Sequence, residues 1–298
     1  MSNTIKYLFG TGCSFTHGAG LCKVWKGYHD DGDRDRKYQY ENTWGNLLAK
    51  KLKVEWIPKS QPGSSNDWSY RHITDFLFFD ERANNSIIIW QLTALEREER
   101  WMNCNFFTDE SGANPIIIQA NDGGDYTQNV MRPYLSENEP EGSDLARREK
   151  LFADSGVTKK ERKLMFKTYW KYFYNDYYCV YDLLRNIYLI SSLCELRGIK
   201  FLVFDAFPDI KLALNKEYDG FNNKLYEDSL ILHKKLVESG TRVEPFGKNS
   251  WDDWMHHEVK KEEYKDMING IMVDPVNDGH PGLIAHEKMS EYLFNIIN

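Results

Sequence analysis

Apolar positions along the chain fall into short buried runs and helical stripes in alternation. The run IKYLF at 5–9 reads as a short buried strand. TWGNLLAKKL, 43–52, spaces Trp44, Leu47, Leu48 and Leu52 for one face of a helix. KVEWI, 53–57, alternates as a strand does, and WSYRHITDFLFF restarts a helix after the turn-rich PKSQPGSSND. NSIIIWQLT, 85–93, is the clearest buried strand, and its isoleucine run suits the centre of a parallel sheet. This alternation predicts βαβ units. The polar stretch at 28–42, YHDDGDRDRKYQYEN, reads as a loop.

From 96 to 157 the rhythm breaks into EREER, NDGGD and RPYLSENEPEGSD, which predicts an insertion with room for a short strand at PIIIQA. A long helical stretch over 158–197 follows, then Gly198 as a C-terminal stop, and IKFLVFDAF as the next buried strand. A helix near 222–238, a short strand at TRVEPF, a partly helical 251–270, a loop at DPVNDGHPG and a closing amphipathic helix complete the pattern. No repeat or low-complexity linker divides it. We therefore expect one α/β domain over 1–298, with the insertion at 96–157.

Composition narrows the partners. The 298 residues carry a net charge of −7, which works against nucleic acid or an anionic membrane as partner. The five cysteines are scattered without a CxxC pair, so free thiols in a reducing compartment are expected. The first residues lack a basic region followed by a long apolar stretch, and a cytoplasmic protein is the expectation.

The candidate chemistry begins where the first strand stops, at LFGTGCSFTHGAG, 8–20. A phosphate-binding P-loop would need a Gly-Lys-Ser/Thr ending, and a dinucleotide fingerprint would need glycine where Phe15 stands. The remaining reading is a nucleophile presented at a sharp turn: Ser14, activated by a base elsewhere. Among eight histidines, His280 stands out in VNDGHPG, two residues after Asp278, a carboxylate able to orient an imidazole. Cys13 competes as a thiol nucleophile, but neighbouring residues in a turn point different ways, and Ser14 is preferred. His17 reads as a pocket residue or a helix-end residue, and His286 as structural, packed behind the site. A calcium loop starting at Asp31 fails at Arg36 and Asn42. His256, His257 and Glu258 lack the HExxH spacing, so no metal is expected.

Three stretches in order, LFGTGCSFTHG, QPGSSND and DGHPGLIAHEKMSEYL, resemble the GDSL or SGNH hydrolase superfamily, in the manner of its divergent bacterial and phage members. The resemblance implies a three-layer α/β/α sandwich on a mostly parallel, five-stranded, flavodoxin-like sheet. It implies Ser14 as nucleophile, His280 as base and Asp278 as orienting acid, with N–H groups of Ser14 and Gly63 at the oxyanion hole. The sequence departs from the family at Cys13, where the family has Asp. Asn277 stands at the family's usual place for the acid. The Gly-x-Asn-Asp block is replaced by WQLTALERE, so Asn66, Gln91 or Thr93 is left to complete the oxyanion hole or its pocket. The implied activity is cofactor-free hydrolysis of a small-molecule or carbohydrate ester through an acyl-enzyme, in the cell or on a phage particle. A non-catalytic glycan- or protein-binding module on the same scaffold is the alternative.

Overall fold

The structure is a computed structural model that describes residues 4–18, 21, 36–60, 64–95, 97–100, 116–119, 160, 161, 164, 168, 175–207, 209–215, 223–258 and 280–298. In chain order the elements are β1 (Tyr7–Gly12), α1 (Ser14–His17), α2 (Arg36–Asn42), α3 (Trp44–Leu52), β2 (Glu55–Ser60), α4 (Asn66–Phe79), β3 (Ser86–Leu92), β4 (Arg97–Arg100), β5 (Ile116–Gln119), α5 (Asp176–Leu196), β6 (Lys200–Asp205), α6 (Asp209–Asn215), α7 (Asn223–Glu238), α8 (Trp251–Glu258) and α9 (Leu283–Ile297).

Four strands form a sheet in the order β2-β1-β3-β6, and every pair in it is parallel. All seven residues of β3 are buried, as expected of a strand covered on both faces. Its side chains alternate. Ile88, Trp90 and Leu92 join an apolar cluster with residues of α4 and α5, while Ile87 and Ile89 join a second cluster with residues of α3, α8 and α9. Helices thus cover both faces of the sheet.

Local signals explain most of the boundaries. The Thr43 hydroxyl caps α3, Ser65 caps α4, and Asn175 accepts two N–H groups at the start of α5. Gly198, at φ 65°, ends α5, and Ile199 N–H closes back on the Cys194 carbonyl at 2.8 Å. Pro58 sits inside β2, which is tolerated because β2 is an edge strand and its missing N–H would face away from the ladder.

Several expectations need correction. Among the described residues the parallel sheet has four strands. The strand expected at TRVEPF contracts to one parallel bridge, Val203 to Arg242, because Pro245 cannot extend the ladder and instead starts a short 3-10 turn. Arg242 there turns its guanidinium onto the buried carboxylate of Asp205. The polar stretch read as a loop contains α2, which packs beside α3. β2 runs three residues further than its alternation suggested, and the described α5 begins only after the Asn175 cap. Within the insertion, PIIIQA does supply β5, paired antiparallel with β4. The rest of 96–157 lies outside the described residues. No helix among those described is long and apolar enough to cross a membrane.

Candidate active site

The strand order places a topological switch point at β1. The chain leaves β1 for β2 on one side and returns to β3 on the other, and such a sheet opens a crevice at the carboxyl ends of the two diverging strands. At the end of β1 lie Gly12, Cys13 and Ser14; at the end of β3 lie Gln91, Leu92 and Thr93.

The glycines of the opening stretch have separate causes. The indole of Trp56 lies across Gly10, where an added Cβ would come within 2.1 Å of the ring. The same indole lies against Gly45, so β1 and α3 both need glycine to accommodate it. At Gly12 an added Cβ would stand 2.5 Å from Thr16 Oγ1 and 2.6 Å from Gln91 Oε1. Gly18, at φ 76°, ends α1 in a left-handed conformation. Ser64 Oγ donates to the Gly12 carbonyl at 2.9 Å, pinning the residue before the α4 cap to the end of β1.

Ser14 opens the single turn of α1 and is 8% exposed. Its neighbour Phe15 lies edge-on to the imidazole of His280, with ring centroids 5.7 Å apart. Phe15 also meets Phe207, just after β6, at 5.0 Å and Trp251, the first residue of α8, at 5.7 Å. Residues separated by most of the chain therefore converge on one aromatic ring beside Ser14.

The remaining candidates are placed as follows. Cys13 is fully buried and belongs to the apolar cluster with Leu8 and Trp44, so its thiol lines the core instead of a pocket. His17 donates from Nδ1 to the Ser60 carbonyl at 3.2 Å, which fastens α1 to the end of β2. Asn66 is buried, and its carboxamide is bonded to the backbone of Thr93 through both Oδ1 and Nδ2. Thr93 is likewise buried, at the end of β3. Asp278 and Gly63 lie outside the described residues.

His286 is fully buried, and its Nδ1 accepts the Trp44 N–H at 3.0 Å, joining the start of α9 to the start of α3. Burial, then the charge of nearby His280, pulls its pKa down to about 3. This neutral, structural histidine matches its sequence reading. His256 pairs with Asp252 at 3.4 Å across one turn of α8, and burial pushes the Asp252 carboxyl upward. Among the described residues no group of three or more His, Cys, Asp or Glu side chains is placed to hold a metal.

Sequence reasoning missed two contacts. The Asn66–Thr93 clamp joins two residues that were considered only singly. The Thr16–Gln91 hydrogen bond crosses 75 positions, and only the demand for glycine at position 12 hints at it.

The sheet order can be compared with known proteins. No family's sequence model matches the chain, and no curated protein matches it. Among solved structures, the fold resembles that of a protein described as lipolytic and of the G-D-S-L family, from Desulfitobacterium hafniense DCB-2. Identity is 10%, covering 98% of this chain and 99% of that one, with a TM-score of 0.40. The chain is also similar to the esterase EstA from Pseudoalteromonas sp., at 11% identity over 98% and 96% of the two chains, TM-score 0.40. A carbohydrate esterase matches at 11% identity over 100% of this chain and 66% of that one, TM-score 0.41.

Proposed function

We propose that this chain is a serine ester hydrolase of the SGNH type, built as one domain with an insertion at 96–157 and helices layered on both faces of its sheet. Ser14 is the nucleophile, His280 the base and Asp278 the acid that orients the imidazole. The observation that carries this reading is the Phe15 ring, which ties the turn bearing Ser14 to His280 at 5.7 Å.

In the first step the His280 imidazole takes the Ser14 proton as Oγ attacks the ester carbon. The tetrahedral oxyanion is held by N–H groups of Ser14 and Gly63. Collapse releases the alcohol, which receives the proton from His280, and leaves an acyl-Ser14. Water then attacks with His280 again as base, releasing the acid. The substrate class is a small-molecule or carbohydrate O-acyl ester, and no cofactor takes part.

Fluorophosphonate labelling read by intact mass tests this. One adduct on wild type, with none on Ser14→Ala and at least a hundredfold slower labelling on His280→Ala, is the expected result. Equal labelling of wild type and Ser14→Ala would remove Ser14 from the mechanism.

A second reading, a glycan- or protein-binding module, is favoured by one observation: the stretch after β3 lacks the Gly-x-Asn-Asp block. A folded wild type that takes no adduct yet binds glycans on an array would establish it.

A further inference from the structure

The turn that carries Ser14 is too short to hold itself. α1 has four residues, with His17 N–H bonded to the Cys13 carbonyl at 3.0 Å and Gly18 N–H to the Phe15 carbonyl at 3.3 Å. One turn fixes many dihedral angles for few hydrogen bonds, so its geometry must come from tertiary contacts. Each residue after Ser14 supplies one. Phe15 packs among aromatic rings, Thr16 donates to Gln91 Oε1 in β3, and His17 donates to Ser60 at the end of β2. Ring packing tolerates sliding, and the His17 contact lies at the sheet edge and is only partly buried. The Thr16–Gln91 bond is directional, fully enclosed, and reaches the central strand.

We propose that Gln91, acting through Thr16, is a positioning residue that sets where the Ser14 hydroxyl points. The inference rests on Ser14 being the nucleophile. Two further observations support it. Gly12 is bare because the Thr16 hydroxyl and the Gln91 carboxamide fill the space its Cβ would take, so the end of β1 is shaped around this contact. Among the described residues the Gln91 Nε2 is buried without a hydrogen-bond partner. A buried, unpaired N–H costs stability, and an apolar pair of similar shape would remove that cost. Gln91 is therefore poorly explained as a stabilising residue, and its contribution lies in the direction it imposes on α1.

The test is the double variant Thr16→Val/Gln91→Met, with Thr16→Ser as the conservative control. Asp80→Ala, which removes the cap of the short turn before β3 at the opposite end of that strand, controls for destabilisation alone. Saturable fluorophosphonate labelling separates the maximal inactivation rate from the affinity for the probe. The double variant should melt at or above the wild-type temperature, yet its maximal rate should fall about 10- to 100-fold at unchanged probe affinity, as a displacement near 1 Å would cause. Thr16→Ser should stay within a few-fold of wild type, and Asp80→Ala should label normally. Labelling of the double variant at the wild-type rate would overturn the positioning role and leave Ser14 as nucleophile. A fall only in proportion to the unfolded fraction would overturn it in favour of a structural role. A folded wild type that takes no adduct would overturn the hydrolase reading and this inference together.

Discussion

The carboxamide of Asn66 is paired with the backbone of Thr93 at both ends. Thr93 N–H donates to Oδ1 at 2.9 Å, and Nδ2 donates to the Thr93 carbonyl at 3.0 Å. A carboxamide has the same donor and acceptor as a peptide group, so the first residue of α4 extends the ladder just beyond the last residue of β3. Both residues are buried, and water does not compete. Asn66→Ala removes the hydrogen bonds to two buried backbone groups, and at about 1–3 kcal/mol each we expect a loss on the order of 2–6 kcal/mol. Asn66→Asp should be no better at neutral pH, because a carboxylate oxygen would face the Thr93 carbonyl. Urea unfolding at pH 7 measures both; a loss below about 0.5 kcal/mol for the alanine variant would show that the clamp is not stabilising.

Trp56 makes two distant glycines interdependent. Gly10→Ala and Gly45→Ala each push a methyl into its indole, and each should cost about 1–3 kcal/mol as overpacking. Trp56→Leu empties that space. Combining it with Gly10→Ala should therefore cost clearly less than the two separate losses added together, and simple additivity in thermal unfolding would contradict the arrangement.

His286 ties stability to acid. The unfolded histidine titrates near 6.5, while burial holds the folded one down to about 3. Between these values the unfolded chain binds a proton that the folded protein refuses. The stabilisation is thus complete above pH 6.5 and is lost as pH falls toward 3, by up to about 1.4 kcal/mol per pH unit. His72 and His233, both pulled down to about 4 mainly by burial, act in the same direction from pH 6.5 to 4. His286→Gln keeps an acceptor for the Trp44 N–H but cannot titrate. Its denaturation midpoint should fall less steeply than that of wild type between pH 7 and 5, and parallel slopes would exclude His286 as a source of the acid sensitivity.

Thiol chemistry separates the two nucleophile candidates at the end of β1. Cys13 is enclosed in the core, and burial pushes the Cys194 thiol up to about 12. Iodoacetamide at pH 8 should leave both unmodified in the native protein and alkylate both after unfolding. Cys13→Ala should retain the fluorophosphonate adduct; loss of the adduct in a folded Cys13→Ala variant would return the thiol to consideration.

Local pattern determined a large part of this protein. Apolar periodicity places β1, β3, β6 and α3, because a buried strand or a packed helix face must be written in consecutive or evenly spaced residues. Capping residues and Gly198 fix several ends, since caps act within a few positions. Ser14 and His280 were legible as candidates because a strand ending in small residues, and a histidine followed by proline before a last helix, are unusual locally. α2 was not legible: its residues are polar and charged throughout, and what stabilises it is contact with α3, which no local period encodes.

The tertiary structure alone decided which side chains serve which purpose. Cys13 and Phe15 flank Ser14 in sequence, and the fold buries both in one cluster while bringing the Phe15 ring against His280 from the far end of the chain. Asn66 carries a carboxamide, and only the fold shows that it pairs with a strand end 27 residues away. Gly12 is explained only by Thr16 and Gln91 meeting above it across 75 positions. Sequence specifies what is local because hydrogen-bonded turns and apolar faces close over a few residues. The assignment of a buried polar group depends on whichever partner the folded sheet brings within reach.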